Sequence, residues 1–163
     1  MDAALDHLRG RPVPDRVFYA ASTLGDHSLI WLMLAAARGL RPGRHWRAAL
    51  RAAAGIGIES ALVNLGVKSL FRRRRPVTDG ARPHRLRQPR TSSFPSGHAT
   101  AGFCSAALLS EGDRAWPLYY AAATVVATSR VYVRIHHASD VVAGMAIGAA
   151  LGRLGRRLVP LRE

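Results

Sequence analysis

Residues 46–71 read W-R-A-A-L-R-A-A-A-G-I-G-I-E-S-A-L-V-N-L-G-V-K-S-L-F, and they indicate the architecture more clearly than any other segment. Between residues 52 and 67 the polar side chains are Glu59, Ser60 and Asn64. A helix that crosses the hydrocarbon core of a bilayer needs roughly 20 mostly apolar residues, so this segment predicts a membrane-spanning helix. Ionisable groups inside a membrane usually face the protein interior, and we expect Glu59 to do so.

Similar apolar tracts lie on both sides of this segment. They cover residues 17–40, with a break at Gly25-Asp26-His27, and then about 96–110, 116–135 and 139–158. Ser96 or Thr100 is the expected start of the helix at 96–110. Residues 1–16 are polar, and Pro12 and Pro14 disfavour a continuous helix there, which suggests an N-terminal interfacial helix. We predict an all-α, multi-span transmembrane bundle with about five spanning helices, forming one domain over residues 1–163 of a multi-pass cell-membrane protein.

The composition separates this chain from soluble basic proteins. Its 163 residues carry a formal net charge of +14 and a pI near 11.7, which indicates an anionic partner. The mean hydropathy of +0.01 is high for so basic a chain, because the arginines crowd into residues 38–51, 72–90 and 153–162 between apolar tracts. This segregation fits a small membrane protein better than a nucleic-acid-binding protein, so no nucleic-acid partner is expected.

Three polar clusters carry the chemistry of the chain. They are K-S-L-F-R-R-R-R-P at 68–76, P-S-G-H at 95–98 and S-R-V-Y-V-R-I-H-H-A-S-D at 129–140. With about five spans, the loops at 72–95 and 134–139 fall on the same side of the membrane. The loop at 72–95 is also longer than most connections, which favours a functional role. We therefore expect the three clusters to meet at one membrane face.

The cationic residues of these clusters suit a phosphoryl group. Phosphoryl transfer is catalysed mainly by positioning and by stabilising the charge on the phosphoryl oxygens. We assign phosphate binding to Lys68, Arg75 and Arg130, with arginine as a flat fork and lysine as a point charge. Ser96 and Gly97 lie where a loop enters a helix, and backbone N–H groups at a helix N-terminus form a cradle for an anion.

Two histidines and a carboxylate supply the catalytic groups. His136 and Asp140 are four residues apart and hence neighbours on a helix. A carboxylate beside an imidazole holds its tautomer and stabilises the positive charge that develops when histidine acts as a nucleophile. His98 is then free to protonate the leaving oxygen as a general acid. The pair His136-His137 has no third ligand at a suitable spacing, so neither a metal nor another cofactor is expected.

Each element has a plainer interpretation when it is taken alone. The arginine run 72–75 is typical of a positive membrane flank, and an isolated His98 is more often a cap or a surface residue. Gly144, Gly148 and Gly152 place small residues on one helix face, which suits packing within the chain or, alternatively, a homo-oligomer. The occurrence of all three clusters, in order and on one membrane side, favours a functional site.

The clusters resemble the tripartite signature of the type 2 phosphatidic acid phosphatase superfamily. This family includes bacterial membrane lipid phosphatases, glucose-6-phosphatase and vanadium haloperoxidases. Residues 68–76 fit K-x6-R-P, residues 95–98 fit P-S-G-H and residues 129–140 fit S-R-x5-H-x3-D, with every fixed position present. The resemblance implies a metal-independent phosphatase with the phosphate-binding residues Lys68, Arg75, Ser96, Gly97 and Arg130. It also implies that His136 forms a phosphohistidine, that Asp140 supports it and that His98 protonates the leaving group.

The resemblance further implies a lipid phosphate as the partner. Compact family members suggest a polyprenyl phosphate or diphosphate, and phosphatidic acid or phosphatidylglycerol phosphate is the alternative. The arginine- and alanine-rich composition indicates a high-GC bacterium, in which decaprenylphosphoryl-5-phosphoribose, a cell-wall precursor, is one candidate. A non-catalytic membrane protein that binds anionic lipid is a hypothesis from another class, and it predicts a silent His136→Ala substitution. The short, membrane-like chain disfavours a vanadate-dependent haloperoxidase.

Overall fold

The computed structural model describes residues 2–77, 86, 89 and 91–161, and the regular elements among them are helices. In chain order they are α1 (Asp2–Asp6), α2 (Pro12–Leu24), α3 (Leu29–Gly39), α4 (His45–Leu70), α5 (Gly97–Leu109), α6 (Trp116–Tyr132) and α7 (Ala138–Leu158). Helix α4 is α-helical over His45–Ala61, passes through a π-helical turn at Leu62–Val67 and ends with Lys68–Leu70. The all-α prediction is confirmed.

Helix α4 is the one described helix that is both long and apolar enough to cross a membrane, judged by length and composition. Helices α3 and α5 have 11 and 13 residues. At about 1.5 Å per residue they extend roughly 16–20 Å, which is less than the roughly 30 Å of a hydrocarbon core. The count of about five spans therefore stays a prediction, as does the interfacial placement of α1.

Helix α5 forms the centre of the bundle. Most of its residues from 99 to 109 are buried, and it packs against α4, α6 and α7. A helix that is apolar on all sides belongs in an interior. Two arginines bind carbonyl groups near its C-terminus, where intrahelical partners are lacking: Arg38 donates to the carbonyl of Leu109, and Arg51 donates to that of Leu108 at 2.9 Å.

The glycine stripe of α7 faces α5 within the same chain. A Cβ atom at Gly144 would lie 2.7 Å from the carbonyl oxygen of Ser96, and one at Gly152 would lie 2.8 Å from that of Cys104. Gly148 is equally tight, with the backbone nitrogen of Cys104 at 3.0 Å from such an atom. The glycine face therefore packs within the chain, which was one of the two alternatives, and a homo-oligomer through it stays a prediction.

Two helix boundaries differ from the prediction. Pro12 and Pro14 lie in the first turn of α2, where proline is tolerated because the missing N–H has no intrahelical partner in any case. Residues 12–16 therefore belong to α2 rather than to a separate polar segment. Helix α6 ends at Tyr132, not near residue 135, because Arg134 adopts a left-handed conformation with φ of 53°.

The helix boundaries next to the polar clusters agree better with the prediction than the two boundaries above. A 3-10 turn at Asp26–Ser28 separates α2 from α3, and Ser96 precedes α5 as its N-cap. The described parts of the predicted loop 72–95 contain no helix. Its residues 78–85, 87, 88 and 90, including Pro83, lie outside the described residues.

Candidate active site

The three polar clusters meet in one pocket, as predicted. A cavity of about 570 Å³ lies between the α2–α3 turn, α4, the start of α5 and the α6–α7 loop. Its lining includes six of the predicted site residues, Lys68, Arg75, Gly97, His98, Arg130 and His136. Ser96 and Asp140 are fully buried, and the Ser96 N–H donates to the Asp140 carbonyl at 3.0 Å. The backbone of the P-S-G-H cluster is thereby tied to the start of α7.

His136 is held with one ring nitrogen bonded and the other facing cations. Its Nδ1 lies 2.7 Å from the Ser93 carbonyl oxygen, which is an acceptor only, so Nδ1 carries the proton. Its Nε2 lies 3.1 Å from Nη1 of Arg75, which is a donor only, so Nε2 presents its lone pair. The geometry assigns the tautomer that a nucleophilic Nε2 requires.

The electrostatics of His136 favour the same state. Burial lowers its pKa to about 4, and the cations Arg130 and Arg75 add to the effect while Asp140 opposes it. The side chain is only 3% exposed, and an imidazolium is costly in so dry an environment. His136 is therefore neutral at physiological pH.

Asp140 acts on His136 less directly than the sequence predicted. Its Oδ2 lies 3.7 Å from His136 Nδ1, which is too far for a hydrogen bond. Oδ2 instead accepts bonds from the Ser93 hydroxyl and from the His137 N–H at 2.9 Å, and Oδ1 accepts one from Arg73 at 2.7 Å. Asp140 thus orients Ser93, whose carbonyl holds the tautomer, and places a negative charge behind the imidazole.

His98 is anchored by the α2–α3 turn. Its Nε2 lies 3.0 Å from the Ser22 carbonyl oxygen and 3.3 Å from Oδ1 of Asp26. Gly25 packs directly on the ring, because a Cβ atom there would overlap the ring and lie 3.1 Å from Nε2. The turn contains two left-handed non-glycine residues, His27 and Ser28, and such backbone strain is concentrated at functional sites.

The cations of the pocket each have a structural support. Lys68 Nζ donates to Oδ1 of Asn64 at 2.9 Å, and Nδ2 of Asn64 donates to the Ser60 hydroxyl at 3.1 Å. Arg130 donates to the Ser22 hydroxyl. Arg75 also donates to the Ser92 carbonyl at 3.2 Å.

Gly97 has a steric role at the base of the pocket. A Cβ atom at this position would lie 3.3 Å from Nζ of Lys68, which is tighter than a side chain usually tolerates. Glycine therefore lets Nζ of Lys68 approach the N-terminus of α5, where backbone N–H groups also favour an anion.

Sequence reasoning missed five residues that support the site: Ser22, Asp26, Asn64, Arg73 and Ser93. The break at Gly25-Asp26-His27 was visible, but nothing in it indicated contact with a histidine more than seventy positions away. Asn64 stood out as a polar residue in an apolar helix. Arg134 belongs to the third polar cluster, but it pairs with Asp6 at 2.9 Å and is not one of the described residues that line the pocket.

A helical bundle that brings a buried, neutral histidine into one pocket with a lysine and two arginines has the features of a class of proteins that act on phosphate-like anions. The chain belongs to the PAP2 superfamily, which it matches over residues 48–163.

Curated relatives agree with this membership. The chain is 36% identical over 133 residues to the decaprenylphosphoryl-5-phosphoribose phosphatase of Mycobacterium tuberculosis, covering 82% of this chain and 73% of that protein. It is 33% identical to the protein of the same name from Mycolicibacterium smegmatis, covering 84% and 74%. A lipid A 1-phosphatase from Porphyromonas gingivalis is 37% identical over 109 residues, which cover 63% of this chain and 22% of that protein.

Solved structures agree on the fold. The crystal structure of a transmembrane PAP2-type phosphatidylglycerolphosphate phosphatase from Bacillus subtilis superimposes with a TM-score of 0.73 at 22% identity, covering 99% of this chain and 87% of that one. The Aquifex aeolicus LpxE structure superimposes with a TM-score of 0.77 at 23% identity, covering 96% and 92%. At these identities the likeness shows the fold alone.

Proposed function

We propose that this protein is an integral-membrane lipid phosphatase that cleaves a phosphate monoester or diphosphate from a polyprenyl-linked lipid through a phosphohistidine. The observation that carries the proposal is the Nε2 atom of His136, which faces the pocket unprotonated and lies 3.1 Å from Arg75. A buried, neutral imidazole beside cations is suited to attack an anion that those cations bind. The metal-independent chemistry of the family requires no other nucleophile.

The first half of the reaction transfers the phosphoryl group to the protein. Lys68, Arg75 and Arg130 bind the phosphate oxygens, and Arg75 exchanges its bond with His136 for one with the substrate. Nε2 of His136 then forms a bond to phosphorus while the bond to the lipid oxygen breaks. His98 donates a proton to that oxygen, so the lipid leaves as an alcohol. Asp140 stabilises the positive charge that the imidazole acquires.

The second half releases phosphate. His98, now neutral, takes a proton from a water molecule as its oxygen attacks phosphorus. The bond between Nε2 and phosphorus breaks, the imidazole regains its lone pair, and inorganic phosphate departs. Both histidines return to their starting protonation states, and the sum of the two halves is hydrolysis.

The relatives support a polyprenyl-linked substrate. The mycobacterial proteins that share 36% and 33% identity with this chain are phosphatases of decaprenylphosphoryl-5-phosphoribose, and we propose a substrate of that kind. Phosphatidic acid and phosphatidylglycerol phosphate are the alternatives. We further propose that residues 1–163 form one membrane-embedded domain of a multi-pass cell-membrane protein.

Phosphate release by the purified protein tests this function. Polyprenyl phosphate, polyprenyl diphosphate, phosphatidic acid, phosphatidylglycerol phosphate and prenylphosphoryl-5-phosphoribose are compared for wild type, His136→Ala and the exposed-histidine control His7→Ala. We expect His136→Ala to lose at least about 10³-fold in kcat and His7→Ala to match wild type. Hydrolysis by His136→Ala at the wild-type rate would falsify the nucleophile assignment, and binding without hydrolysis by wild type would favour a non-catalytic lipid-binding protein.

A further inference from the structure

Glu59 is a buried carboxyl group that the mechanism above does not use. It lies in α4, is 3% exposed, and forms no hydrogen bond with its carboxyl group among the described residues, although it interacts electrostatically with Lys68. Burying a polar group without a partner is costly, and burying a charged one is more so. A side chain kept in such a position is therefore expected to have a partner that binds from outside the protein.

The position of Glu59 indicates where that partner lies. Glu59 lines the catalytic pocket together with Lys68, His98 and His136. It also lines a second cavity of about 660 Å³ between α4 and α7, whose apolar walls include Leu50, Ile58, Leu151 and Leu154. The carboxyl group thus stands at the junction of a phosphate pocket and an apolar groove.

A lipid phosphate bound at the site would use both cavities. Its phosphate would lie at Nε2 of His136, and its hydrocarbon tail would enter the groove, which follows α4 from Glu59 to Leu50 over about 14 Å at roughly 1.5 Å per residue. The atoms that connect the phosphate to the tail must then pass Glu59. Because the groove and the pocket share this residue, one substrate molecule can occupy both.

The chemistry of a carboxyl group limits what this connecting group can be. The carboxyl group exchanges hydrogen bonds with hydroxyl groups, as an acceptor and, when protonated, also as a donor. A simple prenyl phosphate offers no hydroxyl group beside the phosphate, whereas a sugar or glycerol does. Ser60 lines the same pocket and carries a hydroxyl that can share such contacts.

We propose that Glu59 binds a hydroxyl group of a polyol that links the lipid to the scissile phosphate, and so selects lipid-linked polyol phosphates over bare lipid phosphates. This inference rests on the proposed phosphatase function. The inference concerns the group between the phosphate and the lipid tail. The residues of the family signature are proposed to contact the phosphate and the leaving oxygen, not this group.

Matched substrates and two variants test the proposal. The substrates are a short-chain prenylphosphoryl-5-phosphoribose, its 2-deoxyribose analogue, a phosphatidylglycerol phosphate, and a prenyl phosphate of the same chain length. Glu59→Leu removes the acceptor, and Glu59→Gln keeps one acceptor oxygen without the charge. Leu65→Ala, on an exposed part of α4, is the control.

A hydrogen bond to a buried carboxyl group contributes enough to change kcat/KM by about 10-fold. We expect Glu59→Leu to lose that factor on the hydroxylated substrate that the enzyme prefers and Glu59→Gln to lose less. For both variants the loss on prenyl phosphate should be clearly smaller than the loss on the hydroxylated substrate. Comparison of the ribose, deoxyribose and glycerol substrates identifies the hydroxyl group that is bound.

The proposal is overturned if Glu59→Leu and Glu59→Gln reduce kcat/KM equally on all substrates, which would indicate a structural role, or if neither changes any of them. Failure of the Glu59 proposal can be told apart from failure of the phosphatase proposal. If only the Glu59 proposal fails, wild type still hydrolyses prenyl phosphate in a His136-dependent manner. If the phosphatase proposal fails, wild type hydrolyses none of the four substrates.

Discussion

At the scale of single residues, the site depends on how two histidines are held in different states. His136 donates Nδ1–H to the Ser93 carbonyl and keeps Nε2 free for attack, whereas His98 has its Nε2 between the Ser22 carbonyl and the Asp26 carboxylate. Burial and Arg130 disfavour the protonated ring of His98, and the Asp26 carboxylate opposes them. Among the described residues, His136 has no carboxylate in direct contact, so the two environments suit the different roles proposed for these histidines.

The pKa of His136 predicts the acidic limit of activity. Because burial holds this pKa near 4, His136, the proposed nucleophile, stays neutral above that pH and is protonated only as the pH falls through about 4. We expect the enzyme's contribution to the acidic limb of kcat/KM to lie near pH 4–5, after correction for the ionisation of the substrate. A limb near pH 6.5 that follows the enzyme and not the substrate would contradict the assignment.

The lowered pKa of His136 also makes the folded protein less stable in acid. The folded pKa lies below the ordinary value of 6.5, so the unfolded chain binds a proton between pH 6.5 and 4 that the folded protein does not. Acidification through this window therefore lowers the free energy of unfolding. Stability is regained as the pH rises toward 6.5.

Asp26 is predicted to position His98 for proton donation. We expect Asp26→Asn to lower kcat by about 10- to 100-fold on lipid phosphates and to move the basic limb of the pH–rate profile to lower pH, since the amide no longer stabilises the imidazolium. The other charged groups facing His98 across the pocket are Lys68, Arg75, Arg130 and Glu59.

A comparison of two leaving groups shows whether Asp26→Asn acts by displacing His98 or by impairing folding. p-Nitrophenyl phosphate needs little protonation of its leaving oxygen, so Asp26→Asn should affect it much less than a lipid phosphate. Asp6→Asn, at an exposed ion pair with Arg134, is the control and should leave both rates unchanged. Equal losses on both substrates would argue against a role through His98.

At the scale of secondary-structure elements, the close contact of α5 with α7 determines where the catalytic loops lie. Asp140 and the His136 loop lie at the start of α7, and the P-S-G-H cluster lies at the start of α5. The glycines bring the two helix starts together, so the backbone of Ser96 can bond that of Asp140.

Gly148→Ala should therefore destabilise the protein and impair the site together. The added Cβ would overlap the carbonyl oxygen of Thr100, which is backbone and cannot move aside. We expect a loss of about 3 kcal/mol in the free energy of unfolding. The control is Gly57→Ala, whose Cβ meets nothing within 4 Å in an α-helix and which should stabilise by about 0.5–1 kcal/mol. Thermal unfolding in detergent measures both, and equal stabilities would show that α5 and α7 are not so closely packed.

At the scale of the whole molecule, one pocket brings together cationic and histidine side chains from elements that are distant along the chain. Lys68 belongs to α4, Arg75 to the following loop, Arg130 to α6 and His136 to the α6–α7 loop. A ligand that binds this arrangement only in the folded state stabilises it by mass action.

Vanadate, which mimics the transition state at phosphorus, should raise the melting temperature and inhibit the enzyme. At 100 times its dissociation constant the expected gain is about 2.7 kcal/mol. Lys68→Met should lose most of this gain, whereas Arg134→Gln, outside the pocket, should keep it. An equal gain in Lys68→Met and wild type would place the anion elsewhere.

The chemical inventory and the helical class can be predicted from the order of the amino acids alone. Fixed spacings predict Lys68, Arg75, His98, Arg130, His136 and Asp140 as site residues, and long apolar tracts between arginine runs predict helices. The alternation of spans even predicted that the clusters share one face. These features can be predicted because side-chain identity and hydrophobic periodicity are local properties of the sequence.

The groups that surround each proposed catalytic atom could be found only in the folded protein. The acceptor for Nδ1 of His136 is a backbone carbonyl, which every residue has and no sequence pattern marks. Asp26 and Ser22 reach the site because α2 packs against α6, and the glycine stripe is covered because α5 lies in the same chain. Such contacts depend on how helices pack in three dimensions, and their partners are separated by tens of residues along the chain.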